Sequence, residues 1–363
     1  MTTVLHVISG LGLGGAERML VETAIGLQHL GLAQHVVSLR GRGKYADDLV
    51  SAGVPVTALD IATPPHAISA IWQLRQVVNR LEPDIIQGWM YHGDFAAMVT
   101  HLVAPGRSGR RLFWNIRASN VDDPRYTKLV RLCGWLSNLP SVIVANSEAG
   151  AKFHISHGYR PRHVVVIPNG IDTDKFRPDP IARAALRAEL ALGNQIVAVH
   201  VARVDPMKDH ATFLAAMEKL PGIAGLMIGA GTETFRCPPN VRALGVRHDV
   251  ERVYAAADLV VSSSAYGEGF SNALAEGMSA GLVPIATDVG DAARIVGRTE
   301  HIVAPRNSMA LAVAIADGAA LSPDRLRELG LDARARIVSS FGRPKAIDAY
   351  ASLYREFAIA KVK

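Results

Sequence analysis

A chain of 363 residues, 49% of them hydrophobic, exceeds what one core usually fills and points to two domains. Its two cysteines, Cys133 and Cys237, share no motif, so neither a disulfide framework nor a cysteine metal site is indicated, though pairing of the two stays open. The net charge of +6 favours anionic partners, and no run of ~18 apolar residues is available to cross a bilayer.

"TVLHVIS" reads as a strand that begins within a few residues of the N-terminus, leaving no room for a secretory leader, so a cytoplasmic protein is expected. "GLGLGG" follows, then the amphipathic helix "AERMLVETAIGLQHLG" and the strand "HVVSLR", which together form a βαβ unit. The alternation continues through "VPVTAL", the helix "AISAIWQLRQVVNRL", "PDIIQGW", a helix near "GDFAAMVTHLVA", "RLFWNI", "SVIVANS" and "HVVVIPNGID". "TDKFRPDPIARAALRAEL" carries prolines and no buried-strand signal, and reads as a linker. A second series then runs through "QIVAVHVAR", "HATFLAAMEKL", "AGLMIGAG", "VRALG", "DVERVYAAA", "LVVSSS", "VPIATD" and "EHIVA". A last helix starts near Pro344. The expected class is α/β, with two doubly wound, Rossmann-like domains in tandem: 1–175, a linker over 176–190, and 191–343, with helix 344–363 returning to the first domain. Ligands of such sheets sit beyond the carboxyl ends of the strands, so the expected site is the cleft between the domains.

Residues 1–180 hold 18 Lys and Arg against 14 Asp and Glu. The densest run comprises Arg107, Arg110, Arg111, Arg117, Arg125, Lys128 and Arg131 against Asp122 and Asp123. It is either a solvated positive face or a docking surface for an anionic leaflet.

Gly10, Gly12 and Gly15 satisfy G-x-G-x-x-G between a strand and a helix, the context of a dinucleotide fingerprint. The acid expected ~20 residues later is absent; Arg40 stands there, with Arg42 and Lys44 nearby. NAD fits badly, and an NADP-dependent oxidoreductase remains the rival reading. Physically, Gly14 and Gly15 let backbone N–H groups at a helix N-terminus approach an anion.

In the second half, "HVARVDPMKDH" sets Arg203 and Lys208 just after a strand, a fork and a point charge suited to a diphosphate. "GEGFSN" brings a loop to a helix starting near Ser271 or Asn272, whose first N–H groups, with Phe270, face the same place. Glu276, one turn into that helix, is placed to accept two sugar hydroxyls, and Glu268 in the loop to reach another part of the same ligand. As structural alternatives, Glu276 could pair with the helix dipole and Glu268 could be an exposed loop acid.

Taken together, "GLGLGGAERML", "PNGIDTDKF", "ARVDPMKDH", "GAG" with "ALGVRHDV", "EGFSNALAEGM" and "ATDVGDAARIVG" occur in an order that resembles the retaining GT-B glycosyltransferases of family 4 over nearly the whole chain. The resemblance implies that Arg203 and Lys208 hold a donor diphosphate, that Glu268 contacts the transferred sugar or its phosphate, and that Glu276 takes the ribose. It implies backbone contacts at Phe270, Ser271 and Asn272, closure of Gly14 and Gly15 over the diphosphate, and a base pocket from Leu244 to Arg247 shaped by Gly229 and Gly231. Many members carry a histidine where this chain has Arg117, in an "NIR" pattern similar to a subset linked to surface polysaccharide; Arg117 is then a fixed cation beside the leaving phosphate or acceptor, or else a plain ion-pair partner, and His92 in "WMYHGDF" is an alternative acceptor-side base, or else a structural histidine. "DTD" at 172–174 matches a metal-binding triplet only superficially, because it lies inside "PNGIDTDKF". The implied activity is metal-independent transfer of a sugar, from a UDP-sugar or alternatively a GDP-sugar, to a glycan or lipid-linked glycan at the inner membrane face. The resemblance implies no cofactor and no nucleic acid partner. A non-catalytic nucleotide-sugar binding protein is the further alternative.

Overall fold

The computed structural model describes residues 2–12, 14–61, 64–104, 109–119 and 124–359; the side chains of 64–68, 124–126 and 359 lie outside the described set. The chain forms two compact units, residues 1–170 with 344–363, and 171–343.

Unit 1 opens with β1 (Thr3–Ile8), α1 (Gly15–His29), β2 (Ala33–Ser38), α2 (Ala46–Ser51) and β3 (Val56–Ala58). α3 (Pro64–Leu81), β4 (Ile85–Trp89), α4 (Met90–Val103) and β5 (Arg111–Ile116) follow. α5 (Pro124–Leu136), β6 (Val142–Ala145), α6 (Glu148–Ser156) and β7 (Val164–Val166) complete the series. The strands pair in parallel in the order β3-β2-β1-β4-β5-β6-β7. Both faces of a parallel sheet must be covered, which is why "VLHVI" and "IIQGW" are buried throughout. The order reverses between β1 and β4, so their carboxyl ends open the crevice of this unit.

Unit 2 contains α7 (Pro180–Glu189), β8 (Val197–Val201), α8 (His210–Met217), β9 (Ala224–Ile228) and β10 (Val241–Ala243). Next come α9 (Val250–Ala256), β11 (Leu259–Ser262), α10 (Asn272–Ser279), β12 (Val283–Thr287) and α11 (Ala292–Val296). It ends with β13 (Ile302–Val303), α12 (Ser308–Ala319) and α13 (Pro323–Phe341). Its sheet, also parallel, runs β10-β9-β8-β11-β12-β13, with the reversal between β8 and β11. The last helix, α14 (Arg343–Ile359), returns to unit 1, where Tyr350, Ala351, Leu353 and Tyr354 join the core beneath β1 and β4.

The segment expected as a linker is built differently. Asp179 caps α7 through N–H groups of Ile181 and Ala182 at 3.0 and 2.9 Å, with Pro180 at the first helical position. Arg183 and Arg187 of α7 reach Asp258 at 2.6 and 3.4 Å, and Asp258 also accepts Val197 N–H at 2.9 Å. α7 is therefore fastened to the ends of β8 and β11 as part of unit 2. The prolines that suggested a linker are a helix start.

Two of the buried histidines of unit 1, His6 and His35, lie on its strands and are held neutral. Trp89 Nε1 donates to His6 Nδ1 at 3.0 Å, so His6 Nε2 carries the proton, towards Gln34 Oε1 at 2.8 Å. Burial lowers the pKa of His6, and likewise of His35 on β2, from 6.5 to about 4. Above the unfolded value both states are neutral and the contribution to stability is full. As pH falls towards the folded value, the unfolded chain takes up protons first, and about 2 kcal/mol per histidine is lost by about pH 5. Urea unfolding at neutral and at acid pH should show this decline; a midpoint that stays constant over that interval refutes it. Asp258→Ala should cost about 2 kcal/mol, since it removes the acceptor of three donors; a loss below about 0.5 kcal/mol would show that α7 is fastened by other contacts.

Candidate functional site

In unit 2 the chemistry gathers at the β8/β11 reversal. After β8 the chain gives Arg203, then Asp205, whose Oδ1 accepts Met207 N–H at 3.0 Å and starts a 3-10 turn over Pro206–Lys208. Asp209 takes a left-handed backbone (φ 46°) and caps α8 by accepting Thr212 N–H at 3.1 Å. That sharp reversal aims Lys208 across the sheet end. Its Nζ meets Glu268 Oε1 at 2.6 Å and Oε2 at 2.8 Å, with side-chain exposures of 19% and 8%. Lys208 and Glu268 thus form one ion pair, where separate reaches towards diphosphate and sugar were expected. Arg203 is 67% exposed on its side chain and touches Asp205 at 2.9 Å.

The two loops are stitched together. Ala265 N–H donates to Met207 O at 2.8 Å. Ser263 Oγ lies 3.0 Å from the carbonyl oxygens of Lys208 and Asp209 and 3.0 Å from His200 Nε2. The hydroxyl has one proton for a carbonyl, so His200 donates from Nε2. Its Nδ1, which has no hydrogen-bond partner among the described residues, is then a bare lone pair and not an orphaned N–H. Glu268 is fixed from behind as well. Gly290 has φ +63°, and a Cβ there would lie 2.0 Å from Glu268 O. Only glycine permits that approach.

α10 starts at Asn272 with Ser271 as its cap and no side-chain cap bond. Glu276 is 6% exposed, one turn beyond Asn272. Phe270 turns its ring into the core against Phe341, 5.4 Å between centroids, so its backbone alone is left to face a ligand. On the other flank Gly229 has φ +142°, and a Cβ there would meet Ala202 O at 2.0 Å; Val204 N–H donates to Ala230 O, which draws the loops after β8 and β9 together. Gly231, also with positive φ, lies against Val204. Leu244 packs on the core, and Arg247 is held bidentately by Asp249 at 2.9 and 2.7 Å. Asp172 of the "DTD" triplet accepts N–H groups of Asp174 and Lys175 and pairs with Arg343 at 2.9 Å, so it serves a turn.

In unit 1, Gly14 caps α1 and Gly15 is its first residue. A Cβ on Gly14 would lie 2.1 Å from Glu17 Oε2, so this carboxylate folds back over the helix start and must swing aside before an anion approaches. His92 lies exposed in the first turn of α4, where partial desolvation and then the charge of Arg40 lower its pKa.

Arg117, just past β5, is enclosed by neutral groups. Nη1 reaches Asn115 Oδ1 at 3.2 Å and the Tyr350 hydroxyl at 3.5 Å, Nη2 donates to Asn169 Oδ1, and the guanidinium lies 5.1 Å from the Trp89 ring centroid. Asn115 in turn donates from Nδ2 to Tyr350 at 2.7 Å, and its backbone N–H goes to buried Asp94 at 2.9 Å. Burial lowers the Arg117 pKa and raises that of Asp94 well above the usual carboxylate range. Among the described residues no carboxylate lies within ion-pair distance of Arg117. Its charge is therefore set against dipoles, an arrangement that can receive an anion or developing negative charge. The sequence reading missed Asn115, Asn169, Tyr350, Ser263 and His200. Asn115 was within reach of it, because residues two apart at a strand end share a face. Arg117 also leaves the basic run as a surface: it is half-buried here, while Arg107 and the Arg125 side chain lie outside the described residues.

The Lys208–Glu268 pair has a measurable signature. Lys208→Met strands a nearly buried carboxylate and should cost about 2–3 kcal/mol, and adding Glu268→Leu should recover at least about 1 kcal/mol of it. Additive losses in urea unfolding of the two single variants and the double variant would show that the two side chains are uncoupled.

Two family models match the chain, "Glycosyltransferase Family 4" over residues 13–175 and "Glycosyl transferases group 1" over residues 195–319. D-inositol 3-phosphate glycosyltransferases from Mycobacterium sp. (strain KMS) and Mycobacterium tuberculosis (strain H37Ra) are 33% and 31% identical over 166 residues. Those matches cover 41% of this chain and 37% and 34% of the relatives, so the chain spans little more than a third of their length. Among solved structures, Anabaena HepE in complex with UDP superposes with a TM-score of 0.84 at 21% identity, covering 98% of this chain and 100% of that one. A glycosyltransferase from Rickettsia africae gives 0.83 at 18% identity, covering 100% and 99%. With the parallel sheets and switch-point sites of both units, these matches favour sugar transfer over the NADP reading of the Gly-rich loop: the chain belongs to the GT-B glycosyltransferases of family 4.

Proposed function

We propose that the protein moves a sugar from a nucleoside diphosphate sugar, UDP-linked in preference to GDP-linked, to a hydroxyl of a glycan or lipid-linked glycan, with retention at the anomeric carbon and without a metal ion. The observation that carries this reading is the Lys208–Glu268 pair at the loop ahead of α10, with Glu276 buried one turn into that helix and Arg203 in the loop after β8 that also carries Lys208. Cations and a helix N-terminus suit a diphosphate, and a buried carboxylate one turn further suits paired ribose hydroxyls. Structural neighbours supply the preference for uridine: HepE was solved with UDP and with UDP-glucose.

In the proposed step the bond from the anomeric carbon to the diphosphate oxygen breaks, giving an oxocarbenium-like sugar. The acceptor oxygen bonds to that carbon from the same face, and its proton passes to the departing phosphate oxygen. Charge on the diphosphate is met by Arg203, Lys208 and the α10 N–H groups. No carboxylate nucleophile is required, in keeping with the engagement of Glu268 by Lys208. Arg117 is the proposed acceptor-side cation. A second reading of the acceptor, a phosphorylated polyol, is favoured by the name of the curated relatives together with the neutral setting of Arg117, which suits a phosphate.

Calorimetric titration should show UDP binding more tightly than GDP or ADP, weakened about tenfold by Arg203→Ala and similarly by Glu276→Gln. Unchanged affinity in both folded variants removes the donor assignment. Transfer from labelled UDP-sugar should persist in excess EDTA, and loss restored by manganese would contradict the metal-free reading. Offering polyprenyl-linked glycan and D-inositol 3-phosphate in parallel separates the two acceptors.

A further inference from the structure

The loop that carries Lys208 turns on Asp209, whose backbone is left-handed (φ 46°, ψ 55°). Glycine enters that region freely, whereas a residue with a Cβ does so under strain and needs its surroundings to hold it there. The Asp209 carboxylate does not supply the hold. Its Oδ1 accepts Thr212 N–H at 3.1 Å and its Oδ2 accepts the Thr212 hydroxyl at 2.6 Å, so both oxygens serve the cap of α8. The hold comes from Ser263, just past β11 and fully buried. Its Oγ lies 3.0 Å from Lys208 O and 3.0 Å from Asp209 O. These carbonyls belong to the two peptide planes that meet at the Asp209 Cα, and fixing both planes fixes φ and ψ there. His200 on β8, also buried, donates from Nε2 to the same hydroxyl at 3.0 Å, which leaves the hydroxyl proton for the carbonyls. The imidazole is boxed in turn. It stacks on Phe213 at 5.0 Å between centroids and meets the His210 ring edge-on at 4.7 Å; burial, then repulsion from His210 and Lys208, keeps it neutral.

We infer that Ser263 and His200 are positioning residues for sugar transfer: both are too buried to meet a substrate, but together they hold the left-handed turn at Asp209 and so aim Lys208 at the donor diphosphate. The role rests on the proposed reading of Lys208 as a diphosphate ligand. The lever is short. The 3-10 turn over Pro206–Lys208 ends where Asp209 begins, and α8 starts at His210, so the φ and ψ of Asp209 set the direction of the turn relative to the helix. Were Asp209 to relax into the ordinary helical or extended region, Lys208 would swing away from the β11 loop and its ammonium from Glu268, 2.6 Å away here. A buried hydroxyl and imidazole thus perform the conformational task that a glycine at 209 would perform alone.

The test is calorimetric titration of UDP into the full chain, at a temperature where circular dichroism shows each variant folded. Lys208→Met reports on the donor reading and should weaken binding about tenfold. Ser263→Ala should weaken it by a similar factor, but by less than about twofold when added to Lys208→Met, because the hydroxyl acts through that side chain. Asp209→Gly added to Ser263→Ala should bring affinity back to within about threefold of the wild type, since glycine holds the turn unaided. His200→Leu should weaken binding, and His200→Gln, whose amide N–H reaches the same place, should retain it. This second pair decides the matter if Ser263→Ala does not fold, with indifference to His200→Leu then overturning the role. A Ser263 that only stabilised the fold would show neither the dependence on Lys208 nor the rescue. Unchanged affinity in Lys208→Met removes the donor reading and the positioning role with it. A loss in Lys208→Met with none in Ser263→Ala, equal losses from Ser263→Ala in both backgrounds, or no rescue by Asp209→Gly overturns the positioning role alone.

Discussion

Lys208 and Glu268 lie sixty residues apart in the chain and meet at 2.6 Å where little water reaches them. Neither charge would be stable there alone, since removing a carboxylate or an ammonium from water costs several kcal/mol unless a partner meets it. The surrounding loops are arranged to satisfy that constraint. Asp209 is forced into a left-handed backbone, Ser263 ties the Lys208 carbonyl to His200, and Gly290 gives up its side chain so that the loop before α10 can close on Glu268. Once the pair is made, the start of α10 and Glu276 are fixed with it.

Unit 1 handles a buried charge differently. Arg117 is set against two amides, a phenol hydroxyl and an indole face. Dipoles orient a guanidinium without neutralising it, so the field of the cation stays available to a ligand. Unit 2 thus carries a paired charge at Lys208 and Glu268, whereas among the described residues of unit 1 the hydrogen-bond partners of Arg117 are all neutral. On the proposed function, that contrast is what places the donor diphosphate with unit 2 and an acceptor-side role with Arg117.

The helix α14 has a part in this second arrangement. Tyr350 sits in the core of unit 1 and presents its hydroxyl to both Asn115 and Arg117. A segment that could be taken for a terminal strap is therefore a wall of the site.

Much of this was legible in the sequence because it is local. Alternation of buried strands with amphipathic helices specifies parallel α/β units, and a glycine-rich turn or a "GEGFSN" loop ahead of a helix specifies where N–H groups will point. Arg203, Lys208, Glu268 and Glu276 were found from such signals. The tertiary structure decided what depends on residues distant in sequence. It made 180–189 a fastened helix through Asp258, joined Lys208 to Glu268, and brought Tyr350 and Asn169 to Arg117. Local propensity carries no information about such pairings, because the free energy that selects them comes from burying charged and polar groups together, and that happens only when the whole core has closed.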